Sequence, residues 1–481
     1  MLFNSFQFLA FFIVAWIVFL FLKGTPRRVF LLIASYYFYM CWSTKYIFVI
    51  WGITIIDYVA GIQIEAADNL RRRKLYLTLS LFCNIGLLVL FKYLNFLTGS
   101  AGRAMHFLGL QYDIPLLHII LPVGLSFHTF QAMSYTIDVY KRKAPAERSF
   151  LNYALYVAFF PQMVAGPIER PNELLPQFHR EPETTLARLK SGFAQALWGF
   201  FKKMVIADAV AGPVNAVFAA PDKFQGIVLL LATLCFALQI YCDFSGYSDI
   251  ALGLARVLGY DLRVNFRQPY FSRSIGEFWH RWHISLSTWF RDYVYIEMGG
   301  SRVRAGRKYF NVFITFLVSG LWHGASWTFV IWGAVHGLFL IFGQITAPVR
   351  GRLRRLSGIE NFPGLLALWQ TLCTFVLVAV AWVFFRAHSF QSAVYILTHF
   401  FPLGTFNSEI LTTMGLPRAN IPFLMVFVLA LFSVEWWIAN PAQRPKIWDF
   451  APLRQACYYA CLYSIVFFGV FGHLDFIYFQ F

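Results

Sequence analysis

Ionisable side chains are concentrated in an aromatic-rich, largely apolar stretch between Tyr241 and His336. Those of interest are Asp243, Asp249, Glu277, His280, His283, Arg291, Asp292, His323 and His336. Each ionisable group inside a bilayer costs about 2.5–3.5 kcal/mol on insertion scales, so such groups usually have a purpose. The alternative for any one of them is a paired or snorkelling side chain. Their density nevertheless favours this stretch as the place where chemistry occurs.

His323 is the first candidate for catalysis. It lies in Ser319-Gly-Leu-Trp-His-Gly-Ala-Ser-Trp327, where glycines permit a helix break and tryptophans exclude water. A neutral imidazole in such surroundings can take a proton from a hydroxyl near neutral pH, which is general-base chemistry. The alternative is a histidine that only forms a hydrogen bond between helices.

His280 and His283 form a second group of candidates. They are three positions apart, so they share one face if the segment is helical. With His323 they allow a metal site, although no carboxylate or cysteine stands at a familiar ligand spacing. His336 would lie about 220° from His323 on one continuous helix, and we interpret it as a packing residue.

Asp243 and Asp249 are weaker candidates. Six residues separate them, and that spacing does not place two carboxylates on one helical face. Helix capping or pairing with a buried arginine is the favoured interpretation. The sequence contains no GxSxG, P-loop or dinucleotide motif, so a serine-hydrolase elbow and a phosphate-binding glycine loop are unsupported.

The elements that position these residues must be membrane helices. The chain has 481 residues, of which 59% are hydrophobic, 20% aromatic and 13% charged, whereas soluble domains are about 25% charged. This composition excludes a soluble globular enzyme, and the aromatic content excludes disorder. The net charge of +17 suits cytoplasmic loops, an anionic substrate or lipid headgroups. Seven scattered cysteines without a CxxC motif indicate small core residues.

Apolar segments predict an all-α polytopic membrane protein with about 10–12 transmembrane helices and one or two re-entrant segments. The predicted segments are 7–22, 29–42, 46–64, 75–91, 116–139, 153–164, 192–217, 226–241, 310–321, 328–345, 365–385, 421–438 and 457–471. Several of these segments are too short to cross a bilayer alone.

Basic loops predict the orientation. Three of them follow the first, third and fifth predicted spans, at residues 23–28, 71–74 and 141–143. They alternate with poorly charged turns, so the N-terminus is expected outside. Arg302–Lys308 and Arg350–Arg355 are also expected in the cytoplasm. The chain between them then enters the membrane and returns, with its turn near Gly320–Ser326.

Motifs along nearly the whole chain resemble those of membrane-bound O-acyltransferases, in particular the bacterial branch that includes the membrane subunit of alginate O-acetyltransferase. The similar segments are 91–96, 121–127, 131–140, 160–170, 241–249, 282–293 and 321–324. The stretch Trp282-His-Ile-Ser-Leu-Ser-Thr-Trp-Phe-Arg-Asp-Tyr293 and the motif Leu321-Trp-His-Gly324 are the most specific. The family usually carries Arg at the position of His280 and Tyr at that of His128, so neither histidine receives a role by analogy.

The resemblance implies one transmembrane domain over residues 1–481, with helices around a central tunnel and a core at 91–343 that carries the active site. The family histidine maps onto His323, and a second polar position maps onto His283. Residues expected to bind substrate are Trp282, Ser285, Arg291, Asp292 and Trp322. Residues expected to hold the phosphates of coenzyme A are Arg302, Arg304, Arg307 and Lys308, although plain cytoplasmic charge explains this basic loop equally well.

The activity implied is transfer of an acetyl group from cytoplasmic acetyl-CoA, in a bacterial inner membrane, towards an exported alginate-like polysaccharide. Separate periplasmic acetyltransferases are the expected partners, and no bound cofactor is expected. A D-alanyl donor, or a peptidoglycan or cellulose acceptor, remains open within the same class. A transporter with a histidine proton relay and a structural scaffold are alternatives from other classes. The absence of paired broken helices in two corresponding halves of the sequence counts against a transporter.

Overall fold

The computed structural model describes residues 1–110, 121–163, 166–401, 414–415, 418–471 and 476–477. Regular structure in these residues is entirely helical, which confirms the predicted all-α class. The chain forms two compact units. One comprises Met1–Ala196 and Asp249–Arg263, and the other comprises Leu197–Ser248 and Val264–Phe481. The single domain at 1–481 with its core at 91–343 stays a prediction.

Among the described residues, the first unit contains nine complete α-helices and most of a tenth. These helices are α1 (Phe6–Phe21), α2 (Gly24–Met40), α3 (Ile47–Ala66), α4 (Leu70–Leu88), α5 (Leu94–Phe107), α6 (Leu125–Tyr140), α7 (Phe150–Ala158), α8 (Phe160–Met163), α9 (Pro171–Phe178) and most of α10 (Leu186–Phe200). Ser5, Asn69 and Ser149 accept hydrogen bonds from the first-turn amides of α1, α4 and α7. These caps satisfy donors that have no partner inside a helix, and they fix where the three helices begin.

The second unit carries the histidines of interest. Its helices are α11 (Asp208–Ala219), α12 (Ile227–Val257, through Ser248), α13 (Ile275–Arg281), α14 (Ile284–Phe290), α15 (Ala305–His323), α16 (Trp327–Ile345), α17 (Ala347–Leu356), α18 (Pro363–Arg386), α19 (Phe390–Thr398), α20 (Ile421–Ala439) and α21 (Ala451–Phe468). A π-helical segment, Phe201–Ala207, joins α10 to α11 without a break.

Helix α12 is longer than the sequence predicts. The predicted segment ends at Tyr241, but the helix continues to Val257. The extension is possible because the polar residues that follow Tyr241 have partners. Asp243, for example, lies 2.7 Å from the Nζ atom of Lys203, and pairing offsets the desolvation of both charges.

The predicted turn near Gly320–Ser326 is present as the connection of the hairpin α15–α16. Gly324 ends α15, and the Ser326 hydroxyl caps α16 through the amide of Thr328. The two helices touch at backbone level, because a Cβ atom at Gly320 would collide with the carbonyl oxygen of Phe329. Glycine is therefore required for this close packing.

Six helical stretches of the described chain are long and apolar enough to cross a membrane. They are Ile47–Ala66, Leu70–Phe107, Ile227–Val257, Trp327–Ile345, Pro363–Arg386 and Ile421–Ala439. Two of the predicted spans are not among these six stretches. The segment 153–164 is interrupted at Phe159, and the segment 192–217 contains charged residues. Val164 and residues 116–120 of the predicted spans lie outside the described residues. The total of about 10–12 spans stays a prediction.

Candidate active site

His283 lies at a break between two short helices. Helix α13 begins after the Ser274 cap and ends at Arg281, and α14 begins at Ile284. At the break His283 adopts φ 43° and ψ 55°, in the left-handed region that residues other than glycine rarely adopt. The condition for His280 and His283 to share one helical face is therefore not met, because no continuous helix carries both residues.

Asn265 holds His283 in this unusual conformation. Its side-chain oxygen Oδ1 lies 3.1 Å from Nδ1 of His283, and it accepts hydrogen bonds from the amide and the hydroxyl of Ser285 at 3.2 and 3.0 Å. The carbonyl oxygen of Asn265 accepts from the amide of Ile284 at 2.9 Å. One asparagine therefore positions the residues on both sides of the break.

These contacts determine which nitrogen of His283 is basic. The atom that faces the backbone amide of Ser285 must be an acceptor, so it is the oxygen of the Asn265 amide. Nδ1 of His283 faces the same oxygen and must donate its proton, which leaves Nε2 as the basic nitrogen. His283 lies outside the six helical stretches that could cross a membrane. Its full burial lowers its pKa to about 3. The ring is therefore neutral near pH 7.

His323 is the last residue of α15 and lies in an aromatic enclosure. Its ring centroid is 4.9 Å from those of Trp322 and Trp332 and 5.3 Å from that of Phe385. Only 4% of the residue is exposed. This environment excludes bulk water. Of the two tryptophans in the sequence motif, Trp322 contributes to the enclosure, whereas Trp327 is exposed.

Trp322 links the two predicted catalytic histidines. Its ring centroid lies 6.1 Å from that of His283 and 4.9 Å from that of His323. Trp282, the residue before His283, is buried against Phe266 and Trp382. The structure thus brings four predicted site residues together, and Ser285 joins them through Asn265.

His336 lies on α16 and not on the helix of His323. Its Nδ1 accepts a hydrogen bond from the indole of Trp279 at 3.3 Å, and its ring packs against Trp332 at 4.9 Å. The residue is fully buried, as a packing histidine would be. Within the part of the chain that the structure covers, no cluster of three or more His, Cys, Asp or Glu residues has a geometry that would hold a metal.

A cavity of about 480 Å³ adjoins the break, and neither His283 nor His323 lines it. Its lining residues are Gly276, Trp279, His280, Ile284, Leu286, Ser287, Thr288, Phe290, Arg291, Tyr295, Val312, Thr315, Phe316, Ser319, Leu340 and Gln344. Arg291 is exposed, and its Nε lies 2.8 Å from Asp292. Of these two predicted substrate-binding residues, Arg291 lines the cavity and Asp292 is paired with it. Ser319 stands one helical turn before His323 and is the nearest lining residue to it along α15.

The predicted coenzyme A residues lie at the N-terminal end of α15. Arg302, Arg304 and Arg307 are exposed, and Lys308 is half-buried. None of the four forms an ion pair with another described residue, and the guanidinium of Arg307 lies over the ring of Phe310 at 5.3 Å. Their charge is therefore available to an anionic ligand.

Asp243 and Asp249 contact different partners. Lys203 lies 2.7 Å from Asp243 and 2.8 Å from Asp208, so the buried partner of Asp243 is lysine and not the expected arginine. Asp249 accepts a hydrogen bond from Gln195 at 3.0 Å. The sequence offered no periodic signal for Lys203 or Asn265, because each acts across a long stretch of chain.

Comparison with known proteins identifies the class. The sequence model of the membrane-bound O-acyltransferase family matches residues 140–385, a range that holds α13–α16 and both predicted catalytic histidines. The chain belongs to the membrane-bound O-acyltransferase family. It is therefore an acyltransferase and a multi-pass membrane protein.

Three similar proteins refine this placement. The "Probable alginate O-acetylase AlgI" of Pseudomonas aeruginosa is 38% identical over 92% of this chain and 83% of its own length. The peptidoglycan O-acetyltransferase of Helicobacter pylori is 34% identical over 77% of this chain and 73% of its own. The teichoic acid D-alanyltransferase of Streptococcus thermophilus is 30% identical over 50% of this chain and 62% of its own.

Proposed function

We propose that this protein is a membrane O-acetyltransferase that passes an acetyl group from cytoplasmic acetyl-CoA towards an exported, alginate-like polysaccharide. The observation that carries the proposal is the near full-length similarity to a protein named as an alginate O-acetylase, with both histidines in the region matched by the family. The peptidoglycan and teichoic acid enzymes match less of the chain. The order of coverage therefore favours an alginate-like acceptor.

His323 is the general base in this proposal. It accepts the proton of the acceptor hydroxyl while the hydroxyl oxygen attacks the thioester carbonyl carbon. The tetrahedral intermediate collapses with cleavage of the carbon–sulfur bond, and the proton passes from His323 to the departing thiolate. The aromatic enclosure supports this role, because exclusion of water strengthens the electrostatic interactions of the reacting groups.

His283 orients the substrate or assists proton transfer. Its contact with Asn265 keeps the proton on Nδ1 and leaves Nε2 as the basic nitrogen. The rings of His283 and His323 both lie next to that of Trp322. A neutral imidazole with a fixed tautomer can accept a hydrogen bond from the acceptor hydroxyl without a rearrangement of its own. Trp282, Trp322 and Ser285 form the walls that hold the reacting groups.

The donor enters from the basic end of α15. Arg302, Arg304, Arg307 and Lys308 attract the phosphates of coenzyme A, since their charges are not neutralised within the described residues. Arg291 lines the cavity and contacts the donor there, and Asp292 is paired with it. In this proposal the basic end of α15 faces the cytoplasm and the N-terminus faces the periplasm of a bacterial inner membrane, an orientation that the basic loops support.

Periplasmic partner acetyltransferases then transfer the acetyl group to the polysaccharide. The experiment uses membrane vesicles that contain this protein together with radiolabelled acetyl-CoA. We expect transfer of the label to a hydroxyl of the polysaccharide or of a periplasmic partner protein. Transfer from a D-alanyl carrier protein with none from acetyl-CoA would replace the proposed donor. Absence of any acyl transfer, combined with transport of the polysaccharide, would contradict the proposal.

A further inference from the structure

Helix α17 occupies a position that is set by its neighbours. It begins at Ala347, directly after α16, and is followed by α18 from Pro363. Both α16 and α18 are long and apolar enough to cross a membrane. The connection between two consecutive spans lies on one side of the bilayer, so α17 stands close to that membrane surface.

The two faces of α17 differ in chemistry. Val349, Leu353 and Leu356 follow the spacing i, i+4, i+7, which places them on one face. They are 60%, 58% and 74% exposed, so no other described part of the chain covers this face. The remainder of the helix carries Arg350, Arg352, Arg354 and Arg355 and contains no acidic residue.

This pattern fits a lipid surface better than it fits water. Three large apolar side chains exposed to water on a ten-residue helix would be unfavourable, whereas the boundary between headgroups and acyl chains would accept them. Arg350 and Arg352 flank the apolar face, where long side chains can extend towards the headgroups. Guanidinium groups bind phosphate through paired hydrogen bonds.

We propose that α17 lies in the membrane interface, with Val349, Leu353 and Leu356 inserted and its four arginines bound to anionic phospholipid headgroups. This surface is separate from the two histidines and does not depend on the proposed acetyl transfer. The helix would anchor the cytoplasmic end of the hairpin α15–α16, because α16 leads into α17 with only Thr346 between them.

The test compares two cysteine substitutions that leave all four arginines in place. Leu353→Cys lies on the apolar face, and Gly351→Cys lies about 160° away around the helix, at a position where a Cβ atom meets only ordinary contacts. The full-length protein is placed in nanodiscs of phosphatidylcholine with phosphatidylglycerol, which leave both bilayer faces open. A membrane-impermeant maleimide then labels each variant, and the parent chain sets the background from its native cysteines.

We expect Gly351→Cys to be labelled at least about tenfold faster than Leu353→Cys, and detergent to remove the difference. Each arginine near an anionic surface increases the partitioning of the helix onto that surface about fivefold. Replacement of the four arginines by glutamine should therefore speed labelling of Leu353→Cys in these nanodiscs, towards the rate in phosphatidylcholine alone.

Equal labelling of the two faces would overturn the proposal, since the apolar face would then be open to water and available to a protein partner. A labelling rate for Leu353→Cys that changes neither with lipid charge nor with the arginine substitutions would overturn the proposed contact with headgroups. Adenosine 3′,5′-bisphosphate, a fragment of coenzyme A that has no thiol to consume the maleimide, should not protect Leu353→Cys in phosphatidylcholine nanodiscs. Protection by this fragment would assign the arginines to a soluble phosphate ligand instead.

Discussion

Replacement of Asn265 by leucine should impair the function of His283 although His283 itself is unchanged. The substitution removes an oxygen that accepts hydrogen bonds from Nδ1 of His283 and from the amide and hydroxyl of Ser285. A buried donor without an acceptor costs about 1–3 kcal/mol, and the hydroxyl can rotate to a new partner. We therefore expect Asn265→Leu to lower the free energy of unfolding by about 3 kcal/mol.

The catalytic effect of Asn265→Leu should be separable from this loss of stability. A hydrogen bond that orients the ring is worth about 1–1.5 kcal/mol, so kcat per folded molecule should fall about tenfold while KM for acetyl-CoA stays near its parental value. The assay is acetyl transfer in vesicles, normalised to the folded protein in the membrane. Ser248→Ala is the matched control, because it removes only the long 3.4 Å contact on the other side of the Asn265 amide.

Parental kcat in folded Asn265→Leu protein would refute the reasoning, since His283 would then need no partner for its tautomer. An equal loss in Ser248→Ala would also refute it. That outcome would mean that any disturbance around Asn265 lowers activity, whichever side of the amide it affects.

Three other predictions concern stability and are checked by thermal unfolding in detergent. Burial lowers the pKa of His283 to about 3, so between about pH 6.5 and pH 3 only the unfolded chain binds a proton there. As the pH falls through this range, the contribution of His283 to stability should fall by up to about 1.4 kcal/mol per pH unit. His283→Gln should reduce the slope of stability against pH, and an unchanged slope would contradict this cause. Lys203→Met should lower stability by about 3–5 kcal/mol because it leaves buried carboxylates unpaired, and addition of Asp243→Asn should restore part of the loss. Gly320→Ala should cost about 1–3 kcal/mol through overpacking, whereas Gly306→Ala, with open space around it, should be neutral or slightly stabilising.

The hairpin that carries His323 could be predicted from local features of the sequence. Basic segments flank it, a glycine-rich turn lies between two apolar runs, and the tryptophans beside the histidine are visible in the motif. Each of these signals acts over a few neighbouring residues. The structure accordingly places the turn where it was expected, between Gly324 and Ser326.

The conformation of His283 could not be predicted in the same way. The spacing of His280 and His283 favours a common helical face, but the helix breaks where Asn265, 18 residues earlier in the chain, supplies the acceptor. A left-handed conformation at a residue other than glycine depends on such tertiary contacts, and no periodicity reveals them. Sequence reasoning therefore found the histidine and missed the residue that positions it.

Buried charge explains why α12 extends beyond its predicted end. Its predicted end at Tyr241 followed the apolar pattern, yet the helix continues because Lys203 neutralises Asp243 from a distant segment. Hydropathy counts each charge as if it were alone, whereas pairing removes most of the penalty of burial. Segments that carry partnered charges are thus read as shorter than they are.

The most direct test of the proposed mechanism is acetylation of exported polysaccharide in cells that carry His323→Gln, with His336→Gln as the matched control. Both histidines are buried in the same aromatic surroundings, and only His323 is proposed to move a proton. When the two variants are present in the membrane in equal amounts, we predict that His323→Gln lowers acetylation of the polysaccharide by at least about 100-fold. We predict that His336→Gln leaves it unchanged. Normal acetylation in His323→Gln would contradict the general-base role and leave His323 as a packing residue.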